Sequence, residues 1–563
     1  MYKHKVIDII NEMSLQWKRK MMYKKNKANE KKKYEPTESY KEVIRNGAYL
    51  GKKGYTIAKS LLEPKDLESL YDELNVKPMT PGVLFGAALD EGSFPVYREN
   101  DKKIYIPRFF GIERYGLPNR SEITKGENIS LEFPKPLRDY QDKIIDVYMK
   151  HIDNPICCGY EQKGGGGILE VPCGRGKTVM ALKIISNVRK KSLIIVHKEF
   201  LMNQWIERIE EFLPGARVGK IQGPVFDVEG KDIVIGMLQT LYDRALPENA
   251  FDCFGLTIID EVHRIGSEQF SKTLLRVASP NMLGISATVD RKDKLTCVLY
   301  MFIGPKIYTE QRKDEDPVCV RSMEYISSDP EFNETEYDFK GQTKYSTMIS
   351  KLSNFGPRSD FTVKVIQDLV NESREKGDEA QIMVLAHTRS LLKYFYESIS
   401  HKGFASVGYY VGGMKQEDLQ ETEGKQIVLA TYAMAAEALD IKSLSILVMA
   451  TPKTDITQSV GRILRMRHDN PIVVDIVDHH DVFQKQWKQR KTFYRKCNYR
   501  IIGIDSIRYK TMSLDWANDK TWTKLFDPKK WNKKDDDECT GGNPILKKKC
   551  LISISDLDLS EDG

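Results

Sequence analysis

The sequence of 563 residues lacks any apolar run approaching the roughly 18 residues that a membrane span needs. Its 9 cysteines, at 157, 158, 173, 253, 297, 319, 497, 539 and 550, never form a C-x-x-C pair. An odd, scattered set excludes a disulfide framework and a zinc site and predicts reduced thiols. The opening MYKHKVIDIINEM has neither the apolar core nor the small-residue cleavage site of a secretory signal. The expected location is therefore intracellular and soluble. Net charge is also scarce where it would matter most. The total is +7, but residues 1–35 hold eleven Lys or Arg against four acids, so the remainder is neutral. A neutral body can grip nucleic acid only through a local basic channel. The run Lys18 to Lys33 reads as a solvated arm, with a direct nucleic-acid role or an address signal as alternatives. Nuclease chemistry has only stray tripeptides such as Glu161-Gln162-Lys163 behind it, with no metal-binding acids in support.

What is present is a repeating pattern in a chain too long for one core. Strand-like FPVYREN and KIYIPRFFG flank the charged turn Asn100–Asp101. The glycines 164–167 precede the apolar run ILEV and read as a flexible loop, because a phosphate cradle must follow a strand. From there short β-branched runs recur: SLIIVH, DIVIGML, LTIID and MLGIS, with helical stretches such as LMNQWIERIEEFL between several of them. After an irregular stretch at about 300–355 the pattern restarts with QIMVLAH, QIVLATY, LSILVMA and PIVVDIV. Phe361, Val365 and Leu369, at i, i+4 and i+8, predict one buried helix face. Near-continuous apolar strands alternating with helices indicate parallel sheets covered on both faces. The fold class is α/β, two such units in tandem. Beyond about 500 the rhythm is lost among charge blocks, and the end is expected to be disordered.

The run Val171-Pro172-Cys173-Gly174-Arg175-Gly176-Lys177-Thr178 follows ILEV and leads into the helical VMALKIISNVRK. That context suits a phosphate loop: N–H groups at a helix start face the phosphates, and two glycines let the backbone bend around them. Lys177 is expected on the β and γ phosphates and the Thr178 hydroxyl on Mg²⁺. Val171 stands where the usual first glycine would be. Asp260-Glu261-Val262-His263 ends the strand LTII, 83 residues after Lys177. Asp260 is the second metal ligand and Glu261 the group that polarises the attacking water. Ser286-Ala287-Thr288 follows another strand, 26 residues after Asp260; with His263 and Gln458 it is read as coupling the nucleotide to the second unit. Gln458-Ser459-Val460-Gly461-Arg462-Ile463-Leu464-Arg465 places two arginines on neighbouring faces of a helix, as fingers reaching the γ-phosphate.

These motifs, in this order, resemble a superfamily 2 helicase. Within it the chain resembles the xeroderma pigmentosum group B type. It is more closely similar to the transcript-release helicases of poxviruses and other large DNA viruses. The resemblance is carried by LRDYQ (Leu137–Gln141), LEVPCGRGKTVMAL, IVHKEFLMNQW, DIVIGMLQT, GISATVDRKDK and LDIKSLSILVMATPKTDITQSVGRILR. GYTIAKSLLEP and FPVYRENDKKIYIPRFFG point to the viral group, and the similarity covers about residues 50–500.

The resemblance implies two RecA-like domains, ATP and Mg²⁺ as cofactors, and 3′-to-5′ travel along nucleic acid, DNA being favoured over RNA. It implies that Arg138 and Gln141 recognise adenine, that Asp440 lies near the ribose, and that His197, Lys198, Gln239, Thr240, His387 and Thr431 track the phosphates of one strand. Two departures stand out. Glu437-Ala438 replaces the commoner Arg-Gly, and Arg291-Lys292-Asp293 replaces the Arg-Glu-Asp of the group B type, so a duplex-separating role is not carried over. The expected organisation is a basic arm (1–40), an N-terminal α+β accessory domain (41–125), a first RecA-like domain (126–305), an irregular thumb-like insertion (306–357), a second RecA-like domain (358–500) and a charged, partly disordered tail (501–563). Transcription or repair machinery is the expected partner, without a membrane, and host cytoplasm or virion the expected place if the chain is viral. An RNA helicase, a non-unwinding duplex translocase and an ATP-gated assembly factor are the alternatives.

Overall fold

The computed structural model describes residues 34–78, 92–153, 165–172, 174–247, 249–264, 268–291, 293, 295–310, 318–339, 341–377, 379–437, 441–464, 468, 470–511 and 521–528. The apolar runs become two eight-stranded sheets. In the first, the strands are β1 (Gly166–Glu170), β2 (Ser192–Val196), β3 (Val218–Gln222), β4 (Val225–Phe226), β5 (Ile233–Met237), β6 (Leu256–Asp260), β7 (Asn281–Ser286) and β8 (Lys306–Thr309). Their order is β4-β3-β5-β2-β6-β7-β1-β8, with only the edge pair β3–β4 antiparallel. In the second they are β9 (Cys319–Tyr325), β10 (Gln381–Ala386), β11 (Val407–Tyr410), β12 (Ile427–Thr431), β13 (Leu444–Met449), β14 (Ile472–Asp478), β15 (Arg500–Asp505) and β16 (Thr523–Phe526). Their order is β11-β12-β10-β13-β14-β9-β15-β16, again with one antiparallel edge.

Both are RecA-like α/β units. Every residue of β2, β6, β10, β13 and β14 is buried, as helices on both faces of a parallel sheet require. Phe361, Val365 and Leu369 all lie inside, on the helix Gly356–Glu375. The N-terminal α+β unit is a four-stranded antiparallel sheet (Tyr49–Gly51, Gly54–Ala58, Lys103–Ile106, Arg98–Glu99) with the helices Glu38–Gly47, Pro64–Leu74 and Arg108–Tyr115. Its core is continuous with that of the first sheet. Arg108 donates to the carbonyls of Ser279 and Pro280, and Arg98 to that of Lys272, fastening the two. Among the described residues no helix is long and apolar enough to cross a membrane.

Four expectations change. Within 306–357 two segments are framework: β8 closes the first sheet, and β9 is an interior strand of the second between β14 and β15. The polar residues of CVRSMEY disguised it, but Arg321 is buried in a two-bond pair with Glu372. The second unit also continues past 500, through β15 and β16. Tyr40, assigned to the arm, is buried and donates to Asp66 at 3.1 Å. Gly166 and Gly167 belong to β1, where a Cβ on Gly166 would come within 2.0 Å of the Ile303 carbonyl oxygen. Close backbone approach, not flexibility, asks for glycine there. Residues 1–33, Gly164 and the tail beyond 528 lie outside the described residues.

Candidate nucleotide site

The site is built on the C-terminal ends of β1, β6 and β7, the edge where parallel sheets bind ligands. Beyond β1, Val171 donates its N–H to the Ser286 carbonyl at 2.9 Å. Gly174 (φ 82°) and Gly176 (φ 76°) take the left-handed turn, and the helix Lys177–Val188 starts with no side chain capping it. Its first N–H groups and positive dipole end therefore suit an anion. Gln141 braces the loop from below. Its amide donates to the Arg175 carbonyl at 3.1 Å and accepts from the Arg138 N–H at 3.0 Å. A Cβ on Gly176 would stand 2.4 Å from that amide nitrogen.

Lys177 and Glu261 approach to 3.7 Å. Asp260 accepts from the Trp205 indole at 2.9 Å and from the Glu261 N–H at 2.9 Å. Burial first, and then the neighbouring Glu261 charge, push the Asp260 carboxyl above its ordinary range. For Glu261 burial pulls the same way, but the charges of Lys177, His263 and Arg462 overcome it and hold the carboxyl well below. Glu261 also sits at φ 49°, a left-handed conformation that a non-glycine residue adopts only where its surroundings enforce it.

From Glu261 a chain of polar contacts crosses to the second unit. His263 Nδ1 lies 3.3 Å from Glu261 Oε2 and 2.7 Å from Ser286 Oγ, and Ser286 donates to the Thr288 carbonyl at 2.6 Å. On its far side His263 Nε2 is 3.3 Å from Gln458 Nε2, on the helix Thr457–Arg462. A cavity of about 590 Å³ holds Gly174, Gly176, Lys177, Thr178, Asp260 and Glu261 on one wall and Gln458 and Arg462 on the other.

Of the other expected residues, Arg138, Gln141 and His197 line this same cavity. His197 and Lys198 follow β2, Gln239 and Thr240 follow β5, His387 follows β10 and Thr431 ends β12, each at the C-terminal strand-end edge of its own sheet. Thr240 Oγ1 accepts from the Gly223 N–H at 3.0 Å, Gln239 reaches Asp243 at 2.6 Å, and the Thr431 hydroxyl accepts from the Met434 N–H at 3.5 Å. His387 turns inward: Nδ1 meets Thr451 Oγ1 at 2.8 Å and the ring packs on Tyr432. Burial, helped by Lys453, lowers its pKa to about 4, so it is neutral at pH 7. Arg291 bonds Asp293 at 2.9 Å and the His263 carbonyl, which ties it to the acid loop. Cys173, Lys292, Ala438, Asp440 and Arg465 lie outside the described residues, as does the side chain of Glu437.

Sequence reasoning assigned no role to Trp205, although it stands in a quoted motif, nor to Glu170. The latter accepts from the Val289 N–H at 2.8 Å and from Lys306 at 2.9 Å, fixing the loop after β7.

Residues 134–291 match the family described as "Type III restriction enzyme, res subunit". Over 523 residues the chain is 32% identical to a "Putative ATP-dependent RNA helicase" of Acanthamoeba polyphaga mimivirus, covering 90% of this chain and 98% of that one. The chain belongs to the helicase family of large DNA viruses. Another member, a "Putative ATP-dependent RNA helicase" of African swine fever virus, is 28% identical over 397 residues, 66% of this chain and 74% of its own. A "DNA 3'-5' translocase XPB2" of Sulfurisphaera tokodaii is 32% identical over 211 residues, 36% of this chain and 43% of its own. Among solved structures, yeast Dbp5 bound to RNA and ADP BeF3 aligns at 12% identity and TM-score 0.46, covering 66% of this chain and 90% of that one. As a helicase of this family the chain is an ATP-dependent, nucleic-acid-directed enzyme whose cofactors are ATP and Mg²⁺.

The residues present fit that metal. Thr178 and Asp260 supply the hard oxygens that Mg²⁺ takes. An ionised carboxylate has about four lone-pair sites, and Asp260 is seen to use two, on Trp205 and a backbone N–H.

Proposed function

We propose that this helicase is a DNA motor moving 3′ to 5′, of the transcript-release type related to the group B translocases, and that it works with transcription or repair machinery. One observation carries the motor reading: Gln458, which lines the same cavity as Lys177, Glu261 and Arg462, meets His263 at 3.3 Å. Nucleotide chemistry and the seam between the units therefore share one set of residues. Lys177, Gly174 and Gly176 hold the phosphates. Glu261 accepts the proton of the attacking water, and its depressed basicity is set by Lys177, His263 and Arg462. Arg462 meets charge developing on the γ-phosphate from the opposite wall, with Arg465 as its partner finger. Thr178 and Asp260 would hold Mg²⁺, which would neutralise phosphate charge. Loss of the γ-phosphate removes what Arg462 grips, the seam relaxes, and strand-gripping surfaces on the two units shift relative to one another. Asp440 at the ribose, Arg138 and Gln141 at the base, and Lys198, Gln239, Thr240 and Thr431 along the strand complete the assignment.

RNA is the second reading, favoured by the printed names of the viral relatives. The deciding experiment measures ATP hydrolysis with single-stranded DNA, duplex DNA and RNA in parallel. Stimulation by DNA is expected; stimulation by RNA alone would transfer the substrate assignment, and none with any polymer would end the motor reading.

A further inference from the structure

Arg175 lies between the two left-handed glycines of the phosphate loop, and its side chain turns away from Lys177 into a separate cluster. Its guanidinium carbon stands 3.8 Å from the centre of the Tyr140 ring. Its Nε donates to Glu310 Oε1 at 2.9 Å, and Nη2 reaches the same oxygen. Its carbonyl accepts from Tyr140 Oη at 3.3 Å and Gln141 Nε2 at 3.1 Å. Glu310 is anchored in turn, its N–H donating to the Glu170 carbonyl at 2.9 Å just beyond β8. It directly follows Thr309, the last residue of β8.

A loop with two glycines has much freedom to lose when it closes on phosphates. Pinning its middle residue through both backbone and side chain lowers that cost beforehand. The pair is not an ordinary surface salt bridge, because the Glu310 side chain is only 12% exposed and the guanidinium has a ring beneath it. The anchor stands directly after β8 and is bonded to the end of β1, so the loop and the edge of the first sheet are mechanically joined.

We propose that Arg175 is a positioning residue that ties the phosphate loop to Glu310, so that the edge of the first sheet sets the loop for the nucleotide before it binds. The proposal rests on the nucleotide-site reading above. The test uses the full chain and the variants Arg175→Met, Glu310→Gln, their combination and the charge exchange R175E/E310R. Readouts are KM and kcat for ATP with saturating nucleic acid, and affinity for a fluorescent ADP analogue. Each single change is expected to raise KM and weaken the analogue about five- to tenfold, with the loss falling mainly on KM. The combination should be no worse than the poorer single change, and the exchange should regain most of the loss. Additive losses, or analogue affinity unchanged by both single changes, would overturn the tie. Should Arg175→Met melt below the assay temperature, Arg175→Lys, which keeps the charge but loses the fork and the ring stack, carries the same comparison. A parent protein that hydrolyses no ATP with any polymer defeats the motor reading, while the analogue affinities still decide the tie.

Discussion

Two pairs of carboxylates, one pair in each RecA-like unit, are treated in opposite ways. In the second, Asp478 is gripped by Arg358 through two bonds of 2.6 and 2.8 Å, and Asp475 by Arg490 through two of 2.7 and 2.9 Å with Tyr494 added at 3.1 Å. Each carboxylate is met by two prongs of a charged arginine fork. In the first, Asp260 has an indole and a backbone N–H, and Glu261 has a lysine no nearer than 3.7 Å. Neutral or distant donors leave ionic capacity unspent. The contrast separates charge that holds a fold together from charge kept for a ligand.

Four measurements would break or sharpen that contrast. Lys177→Ala should abolish turnover, about 10⁴-fold or more and so roughly 5 kcal/mol of transition-state stabilisation, read by phosphate release; ordinary turnover would discard the site. Arg358→Met strands Asp478 in the core and should cost about 3–5 kcal/mol in denaturant unfolding. Exchanging both members of that pair for apolar residues should recover most of it, and if it does not, the pair is more than structural. Glu261→Gln should slow hydrolysis by about 10²–10³-fold while nucleotide affinity stays within a few-fold; lost affinity would make the carboxylate a structural one.

The smallest effect concerns pH. His387 has its folded pKa lowered to about 4, so between pH ~6.5 and 4 the unfolded chain binds the proton more readily. Stability is therefore unaffected above pH ~6.5, falls as pH drops toward 4, and levels off below, by at most about 3 kcal/mol. His387→Gln should flatten that slope in acid-unfolding curves. It should leave the salt dependence of nucleic-acid binding unaltered, because a neutral ring releases no counterion.

Much of this was legible in the sequence for one reason: buried parallel strands are apolar without interruption, so β2, β6, β10 and β13 announce themselves. The phosphate loop and the acid pair follow, since each must sit directly after such a strand. What stayed hidden depends on partners far apart. Arg321 looks like a surface residue until Glu372, on another element, is placed against it, and so β9 was read as irregular. Arg175 and Glu310 are 135 positions apart. Gly166 of β1 looks like slack until the Ile303 carbonyl is seen to press on it.

The strand order has its own consequence. β7 lies between β1 and β6, so the lysine-bearing loop and the acid pair stand two strand widths apart, about 10 Å between backbones. That width is a gauge set by main-chain hydrogen bonding, and no side-chain replacement can retune it. Ser286, at the end of the middle strand, is the residue that can sense both flanks at once.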